Sequence, residues 1–483
     1  MQFDSFHFLI FFSVVAAVFW SIPDRVRWVL LLGASYYFYM CWKAPYAILL
    51  LASTVIDYSV GLLLGRVSDP KMRRRLIVPS LAANLGFLFY FKYYDLAART
   101  VNQIADSAVL APMPFLLPAG ISFYTFQTLS YTLDVYRKEQ EPERHFGRFA
   151  TFVAFFPHLV AGPIMRAGTL IPQLRTFPPF EYSRVADGLK LVGWGLFKKV
   201  VIADRLARLV DPIYAYPGGH SGCVLALATL AFGYQIYCDF SGYSDIAVGI
   251  SQVLGVNLVQ NFRAPYHSRS LREFWTRWHI SLSTWFRDYV YIPLGGNRVS
   301  LARWCLNILI VFGLSGMWHG ANWTFAIWGI YHGILLVVGR FATRVFAALY
   351  RAVGLRPSGA VASVIGVVST FLVVSIGWVF FRSANLTQSL AVLRAMTDWK
   401  SYLIIDREIL RILKTYWSPA DGAIIVVALA ILETGDLLQD RFRVRSWLSK
   451  RPAVVRWAAY YALACMLLFW GQFNGVPFIY FQF

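Results

Sequence analysis

The chain has 483 residues; 58% are apolar (Ala, Val, Ile, Leu, Met, Phe, Trp, Tyr or Cys), 14% are charged, and the formal net charge is +20. A soluble domain holds about 45–50% apolar residues with glycine counted and about 25% charged ones, so this surplus excludes a soluble enzyme, a disordered chain and a fibrous repeat and places the chain in a bilayer. The 45 Lys and Arg sit mostly between apolar stretches, where they set topology and meet anionic headgroups; nucleic-acid binding is not expected.

A spanning helix needs about 20 mostly apolar residues. Candidate spans lie near 6–22, 26–43, 45–65, 76–92, 115–136, 147–165, 222–238, 241–258, 301–318, 323–346, 360–381, 421–435 and 455–471. Some are short or carry polar residues, which predicts about 11 true crossings plus re-entrant or interfacial helices. The first stretch has no basic region before it, only Asp4 and His7, and no clear small-residue cleavage site, so it reads as a retained helix. Arg25 and Arg27 follow it. Arg66, Lys71, Arg73, Arg74 and Arg75 fall between the third and fourth spans, and Arg137, Lys138, Arg144 and Arg148 between the fifth and sixth. The positive-inside rule then puts these loops in the cytoplasm and the N-terminus outside. Residues 184–212, with Lys190, Lys198, Lys199, Asp204, Arg205 and Arg208 among apolar positions, read as an amphipathic helix. Cys41, Cys223, Cys238, Cys305 and Cys465 lack CxxC spacing and read as small core hydrophobes.

Three stretches break the apolar pattern. Tyr237 to Ser251 carries Asp239 and Asp245 around Ser241, Gly242, Tyr243 and Ser244. It reads either as a polar tunnel lining or as a helix break whose carboxylates pair with arginines. Asn261 to Arg298 is dense in arginine and aromatics; Trp275, Trp278, Leu282, Trp285 and Tyr289 recur at spacings of three and four, as on one helical stripe of an interfacial helix. Glu273 and Arg277 are spaced to pair across one turn. The stripe does not explain His279, which precedes Ser281, Ser283 and Thr284.

In Leu314 to Gly333, His319 ends a strongly apolar run between Trp318 and Gly320, with glycines at 316, 320 and 329. An ionisable side chain at membrane depth is costly when charged and points to a function or a partner. The plain alternative is a packing histidine, and His332, on an apolar helix beside Tyr331, fits that better. Neutral imidazole can take a proton from a hydroxyl and return it to a leaving group near neutral pH. His279 and His319 can divide base and orienting roles if the fold joins them. No Gly-rich phosphate loop, zinc ligand set or GxSxG elbow occurs in a convincing context.

Together these stretches resemble the membrane-bound O-acyltransferase family, in its bacterial alginate O-acetyltransferase branch. The resemblance rests on GISFYTFQTLSYTLDVYR (120–137), FFPHLVAGPIMR (155–166), KKVVIAD (198–204), DFSGYSDIAVGI (239–250), REFWTRWHISLSTWFRDYVYIPLGGNR (272–298) and MWHGANWTFAIWGIYHG (317–333), with the closing PFIYFQF (477–483). It implies that His319 is the catalytic histidine and His279 the second one nearby. Asp204 falls on a polar position of the family pattern, and Arg277, Trp278 and Asn322 become candidates to line or orient the site. The sequence departs where relatives often carry arginine before asparagine, here Leu306 and Asn307, and Met317 replaces a commoner leucine.

The reading is therefore an all-α, polytopic membrane protein with one acyltransferase domain over 1–483, a motif core at 120–333 and C-terminal helices at 360–483. The resemblance implies acetyl transfer from a cytoplasmic thioester, expected to be acetyl-CoA, towards O-acetylation of an exopolysaccharide such as alginate. It also implies periplasmic SGNH or esterase-like acetyltransferase partners and a bacterial inner-membrane location. His319 would act as base, or alternatively be transiently acylated itself, and His279 would orient the acceptor or stabilise charge, with neither metal nor bound cofactor. D-alanyl transfer to teichoic acid, acyl transfer to another envelope polymer and a non-catalytic polysaccharide or lipid transporter are the alternatives.

Overall fold

The computed structural model describes residues 1–352, 356, 359–402, 407–442, 444–473 and 477–479, and among these every regular element is helical. The expected all-α class holds. Of the closing PFIYFQF motif, 480–483 lie outside the described residues. The chain forms two compact units, Met1–Trp194 with Tyr243–Gln260, and Gly195–Gly242 with Asn261–Phe483.

The first unit begins with α1 (Phe6–Ser21), whose N-cap Ser5 accepts from the Phe8 amide, then α2 (Asp24–Lys43) and α3 (Ala47–Arg66). Extended backbone at Lys43 and a short turn over Ala44–Tyr46 part α2 from α3, and each has 20 residues, about 30 Å of helix. Helix α4 (Pro70–Leu88) starts on the Asp69 cap with Pro70 in its first turn, runs through a wider π-helical turn (Phe89–Tyr93) and leads into α5 (Tyr94–Ala105). Arg73 of α4 donates to the carbonyls of Leu64, Val67, Val135 and Tyr136, capping the ends of α3 and α6 (Ile121–Arg137). Between these helices Asp57 accepts from Thr132 at 3.0 Å, Asn84 at 2.8 Å and Ser80. Helices α7 (Phe146–Ala154), α8 (Ala167–Arg175) and most of α9 (Tyr182–Leu196) complete the unit. The span expected at 147–165 is corrected: nine residues are about 14 Å of helix. Phe155 leaves the helix, Pro157 and Pro163 discourage its resumption, and the following turns are buried.

In the second unit a π-helical stretch (Phe197–Ala203) continues into α10 (Asp204–Ala215). Helix α11 (Gly222–Val253), counted to this unit as far as Gly242 and to the first from Tyr243, is unbroken over 32 residues, so the two spans expected at 222–238 and 241–258 are one helix. The polar run 239–245 does not break it. The aromatic stripe expected on one helix is divided: α12 (Leu271–Arg277) stops, Trp278 and His279 intervene, and α13 (Ile280–Phe286) follows. Next come α14 (Leu301–His319), α15 (Trp323–Ala352), α16 (Ala360–Arg382), α17 (Leu386–Met396), α18 (Arg407–Tyr416), α19 (Pro419–Phe442), α20 (Val444–Ser449) and α21 (Ala453–Trp470).

Among the described residues seven helical stretches are long and apolar enough to cross a bilayer: Asp24–Arg66, Pro70–Ala105, Gly222–Val253, Leu301–His319, Trp323–Thr343, Ala360–Arg382 and Ala453–Trp470. The expected 11 crossings exceed that number, and Asp24–Arg66 alone contains two helices of spanning length. Of the five cysteines only Cys238 is buried; Cys41 and Cys465 are exposed, which corrects their reading as core residues.

Candidate functional site: two imidazoles in an aromatic setting

His279 sits at a backbone corner. The Arg263 amide donates to the Arg277 carbonyl at 2.9 Å and the Ile280 amide to the Asn261 carbonyl at 2.9 Å, tying the chain before α12 to the chain after it. Between these bonds Trp278 is extended and His279 adopts φ +44°, a left-handed conformation that costs a bulky residue about 1–3 kcal/mol and persists where the surroundings impose it. Trp278 packs against Phe262, Phe274, Tyr266 and Trp378, which holds the corner from the apolar side. The His279 ring stands edge-on to Phe240, 4.7 Å between centroids, and its Nδ1 lies 3.2 Å from Asn261 Oδ1. Burial pulls the His279 pKa down to about 3, because the ring loses the water that would stabilise its cation. It is neutral at physiological pH.

His319 is the last residue of α14, and Gly320 turns the chain into extended backbone before α15. The α14–α15 crossing is close because both contributing residues are glycines: a Cβ on Gly316 would lie 3.1 Å from Gly329 Cα and run into the Phe325 carbonyl, and one on Gly329 would meet the Phe312 carbonyl. Such small-residue contacts let helix backbones approach. The His319 ring is 3% exposed in residue terms and packs edge-on against Trp328 at 5.0 Å, Trp318 at 5.1 Å and Phe381 at 5.5 Å. Its centroid is 6.2 Å from that of His279. The second unit thus brings together the two histidines singled out from the sequence. His332 lies one ring further away, stacked edge-on against Trp275 and Trp328, with Gly377 leaving room for its Nε2.

The remaining candidates separate. Asp204 and Asp239 converge on one ammonium, Lys199 Nζ, at 2.8 and 2.7 Å. Burial by itself would lower the Lys199 pKa, but the two carboxylates outweigh it and raise it, so the lysine stays charged. The second carboxylate oxygen of Asp239 accepts from the Ile479 amide at 2.8 Å, and Lys198 donates to Ser241 at 2.9 Å. Lys199 was not among the sequence candidates; its signal is a lysine pair inside an otherwise apolar stretch. Asp239 pairs with this lysine and not with the arginine anticipated above. Asp245 is half-buried in the first unit. Arg277 binds Glu273 at 2.9 Å, as its spacing predicts. Asn322 spans the turn after His319, donating to the Ala384 carbonyl at 2.7 Å and accepting from the Thr324 amide. Asn261, also absent from the candidates, contacts His279 directly. Among the described residues no group of three His, Cys, Asp or Glu side chains is placed to hold a metal ion.

The chain is thus an all-helical protein with seven described stretches long and apolar enough to cross a bilayer, and it packs two imidazole rings 6.2 Å apart. The profile of the membrane-bound O-acyltransferase family matches residues 73–383, and the chain belongs to that family; it is an acyltransferase. It is 40% identical over 411 residues to the "Probable alginate O-acetylase AlgI" of Pseudomonas aeruginosa, covering 84% of this chain and 76% of that protein. It is 36% identical over 398 residues to the peptidoglycan O-acetyltransferase of Helicobacter pylori, covering 76% and 73%. The teichoic acid D-alanyltransferase of Bacillus subtilis is 30% identical over 278 residues, covering 54% of this chain and 68% of that protein.

Proposed function

We propose that this protein transfers acetyl from a cytoplasmic thioester, acetyl-CoA, towards the O-acetylation of an exopolysaccharide, which we take to be alginate. Residues 1–483 would work as one acyltransferase domain in the bacterial inner membrane, N-terminus outside, handing acetyl to periplasmic esterase-like partners. In the chemical step the acceptor hydroxyl gives its proton to His319. Its oxygen then bonds to the thioester carbonyl carbon, the carbon–sulfur bond breaks, and the proton returns to the leaving thiolate. His279 orients the acceptor or stabilises developing charge. Asp204, Asp239 and Lys199 hold the charged neighbourhood of the site, and Arg277, Trp278 and Asn322 support its walls.

The observation that carries this reading is the 6.2 Å separation of the His279 and His319 rings in a chain of this family. The AlgI relatives favour alginate, and the peptidoglycan O-acetyltransferase relative supports a second polymer, peptidoglycan, as acceptor. Transfer of label from radioactive acetyl-CoA to alginate or to peptidoglycan, in membranes carrying the partner proteins, distinguishes the two. His319→Ala is expected to lower transfer to either by about 10²–10⁴-fold while the protein still inserts. Full transfer by that variant refutes the role.

A further inference from the structure

The contacts of Asn261 determine which nitrogen of His279 carries its proton. Asn261 and His279 are each 1% exposed and Ser281 is 4% exposed. The Ser281 backbone amide reaches Asn261 Oδ1 at 3.1 Å, and a backbone N–H can only donate, so the side-chain atom facing the corner is the oxygen. Ser281 Oγ donates to the same oxygen at 2.9 Å. His279 Nδ1, 3.2 Å from that oxygen, must therefore be the N–H of the imidazole. A neutral imidazole has one N–H, so Nε2 bears the lone pair. The main-chain oxygen of Asn261 meanwhile accepts from the Ile280 amide at 2.9 Å. One residue thus holds three consecutive positions, including the left-handed His279.

We propose that Asn261 is a positioning residue of the transfer reaction: its side-chain oxygen fixes His279 as the Nδ1–H tautomer and turns the Nε2 lone pair towards the acceptor. This rests on the reading of His279 and His319 given above and chooses between the two roles left open for His279. A lone pair at Nε2 accepts a hydrogen bond from the acceptor and orients it. Stabilising a developing negative charge needs a donor at that nitrogen, which this tautomer does not supply. His319 then removes the reacting proton while His279 holds the acceptor. The described rings packed on His279 include Phe240, Phe262, Trp318 and His319, of which His319 is the ionisable one.

The test compares Asn261→Ala, Asn261→Asp, His279→Ala and the parent protein, each checked for monodispersity after purification, in label transfer from acetyl-CoA to polymer from pH 5 to 9 in membranes carrying the partner proteins. Outer partners of metal-bound histidines cost about 10–100-fold when removed; by analogy Asn261→Ala is expected to lose about that much in turnover with little change in KM for acetyl-CoA. Asn261→Asp keeps an oxygen for Ser281 and Nδ1–H but adds a charge that favours the imidazolium. It should recover transfer at alkaline pH and lose it on the acid side, with its acid limb above that of the parent. A pH profile superimposable on the parent's, or an undiminished Asn261→Ala, overturns the proposal when His279→Ala is inactive. If His279→Ala is itself fully active, the functional reading fails instead. The tautomer is then judged by 15N NMR of histidine-labelled parent protein, assigned by the His279→Ala spectrum: Nδ1–H is expected, and Nε2–H overturns the proposal whatever the activity.

Discussion

Each unit buries a polar cluster, and the two are built on opposite logic. In the first, the Asp57 carboxylate is surrounded by neutral donors from two other helices, Ser80 and Asn84 of α4 and Thr132 of α6, while Ser53 donates to Asn84 at 2.7 Å. These bonds tie three helices in one register. In the second, His279 and His319 stand among aromatic faces, and the ions Lys199, Asp204 and Asp239 pair with one another. Depth of burial is similar in both clusters; what differs is whether the polar groups are consumed by the fold. A carboxylate saturated with hydrogen bonds specifies packing, whereas an imidazole set against rings keeps chemistry available.

Single substitutions separate the two clusters. His319→Ala should lower label transfer by about 10²–10⁴-fold, the range of a lost general base, with an unaltered melting profile; Asp57→Ala should leave transfer per folded molecule close to the parent's. Gly316→Ala forces α14 off α15 at the Phe325 carbonyl. A shift of about 1 Å at His319 is expected to cost on the order of 10²-fold in transfer, together with a lower yield of monodisperse protein on size-exclusion chromatography. Asp57→Ala leaves its donors unpaired and should destabilise the solubilised protein by about 1–3 kcal/mol, read from thermal unfolding, with Asp57→Asn milder. An equal loss of transfer in Asp57→Ala and His319→Ala breaks the distinction.

Two smaller effects concern protons. With its pKa near 3, His279 stays neutral over the working range, so the pH–rate profile of the parent should show no limb from this residue between pH 5 and 8. A limb near 6.5 that disappears in His279→Gln contradicts that. His267 differs: its hydrogen bond to Glu433, with Nε2 and Oε2 2.6 Å apart, raises its pKa although burial opposes this. A raised histidine pKa contributes stability in full below the unfolded value, and loses it as pH rises through the folded one. For this partly exposed pair the contribution is at most about 1 kcal/mol. Glu433→Gln should therefore lower the melting temperature at pH 6 and have little effect at pH 9; an equal loss at both removes the ion pair from the account.

Much of this was legible in one dimension. Apolar runs announced helices at 26–43, 45–65, 301–318 and 360–381 because lipid demands a continuous apolar surface, and the Glu273–Arg277 pair follows from the pitch of one turn. The errors have physical causes. The polar run Asp239–Ser244 looked like a break, yet an α-helix satisfies its own backbone whatever the side chains, and Lys199 neutralises Asp239 from another element. The stripe from Trp275 to Tyr289 has helical spacing, but the paired backbone bonds of Asn261 and Arg263 hold a corner at His279 that spacing does not reveal. Asn261 itself was invisible because its importance lies in a contact across 18 positions of chain.

The order of residues alone determined that this chain lives in lipid, that it is helical, and that two histidines stand out against their surroundings, since hydropathy and local periodicity are properties of neighbours in sequence. Only the tertiary structure decided that those histidines meet, that a lysine draws Asp204 and Asp239 together, and which nitrogen of His279 holds its proton. Those outcomes depend on distances and hydrogen-bond directions between elements far apart along the chain, which arise when helices pack.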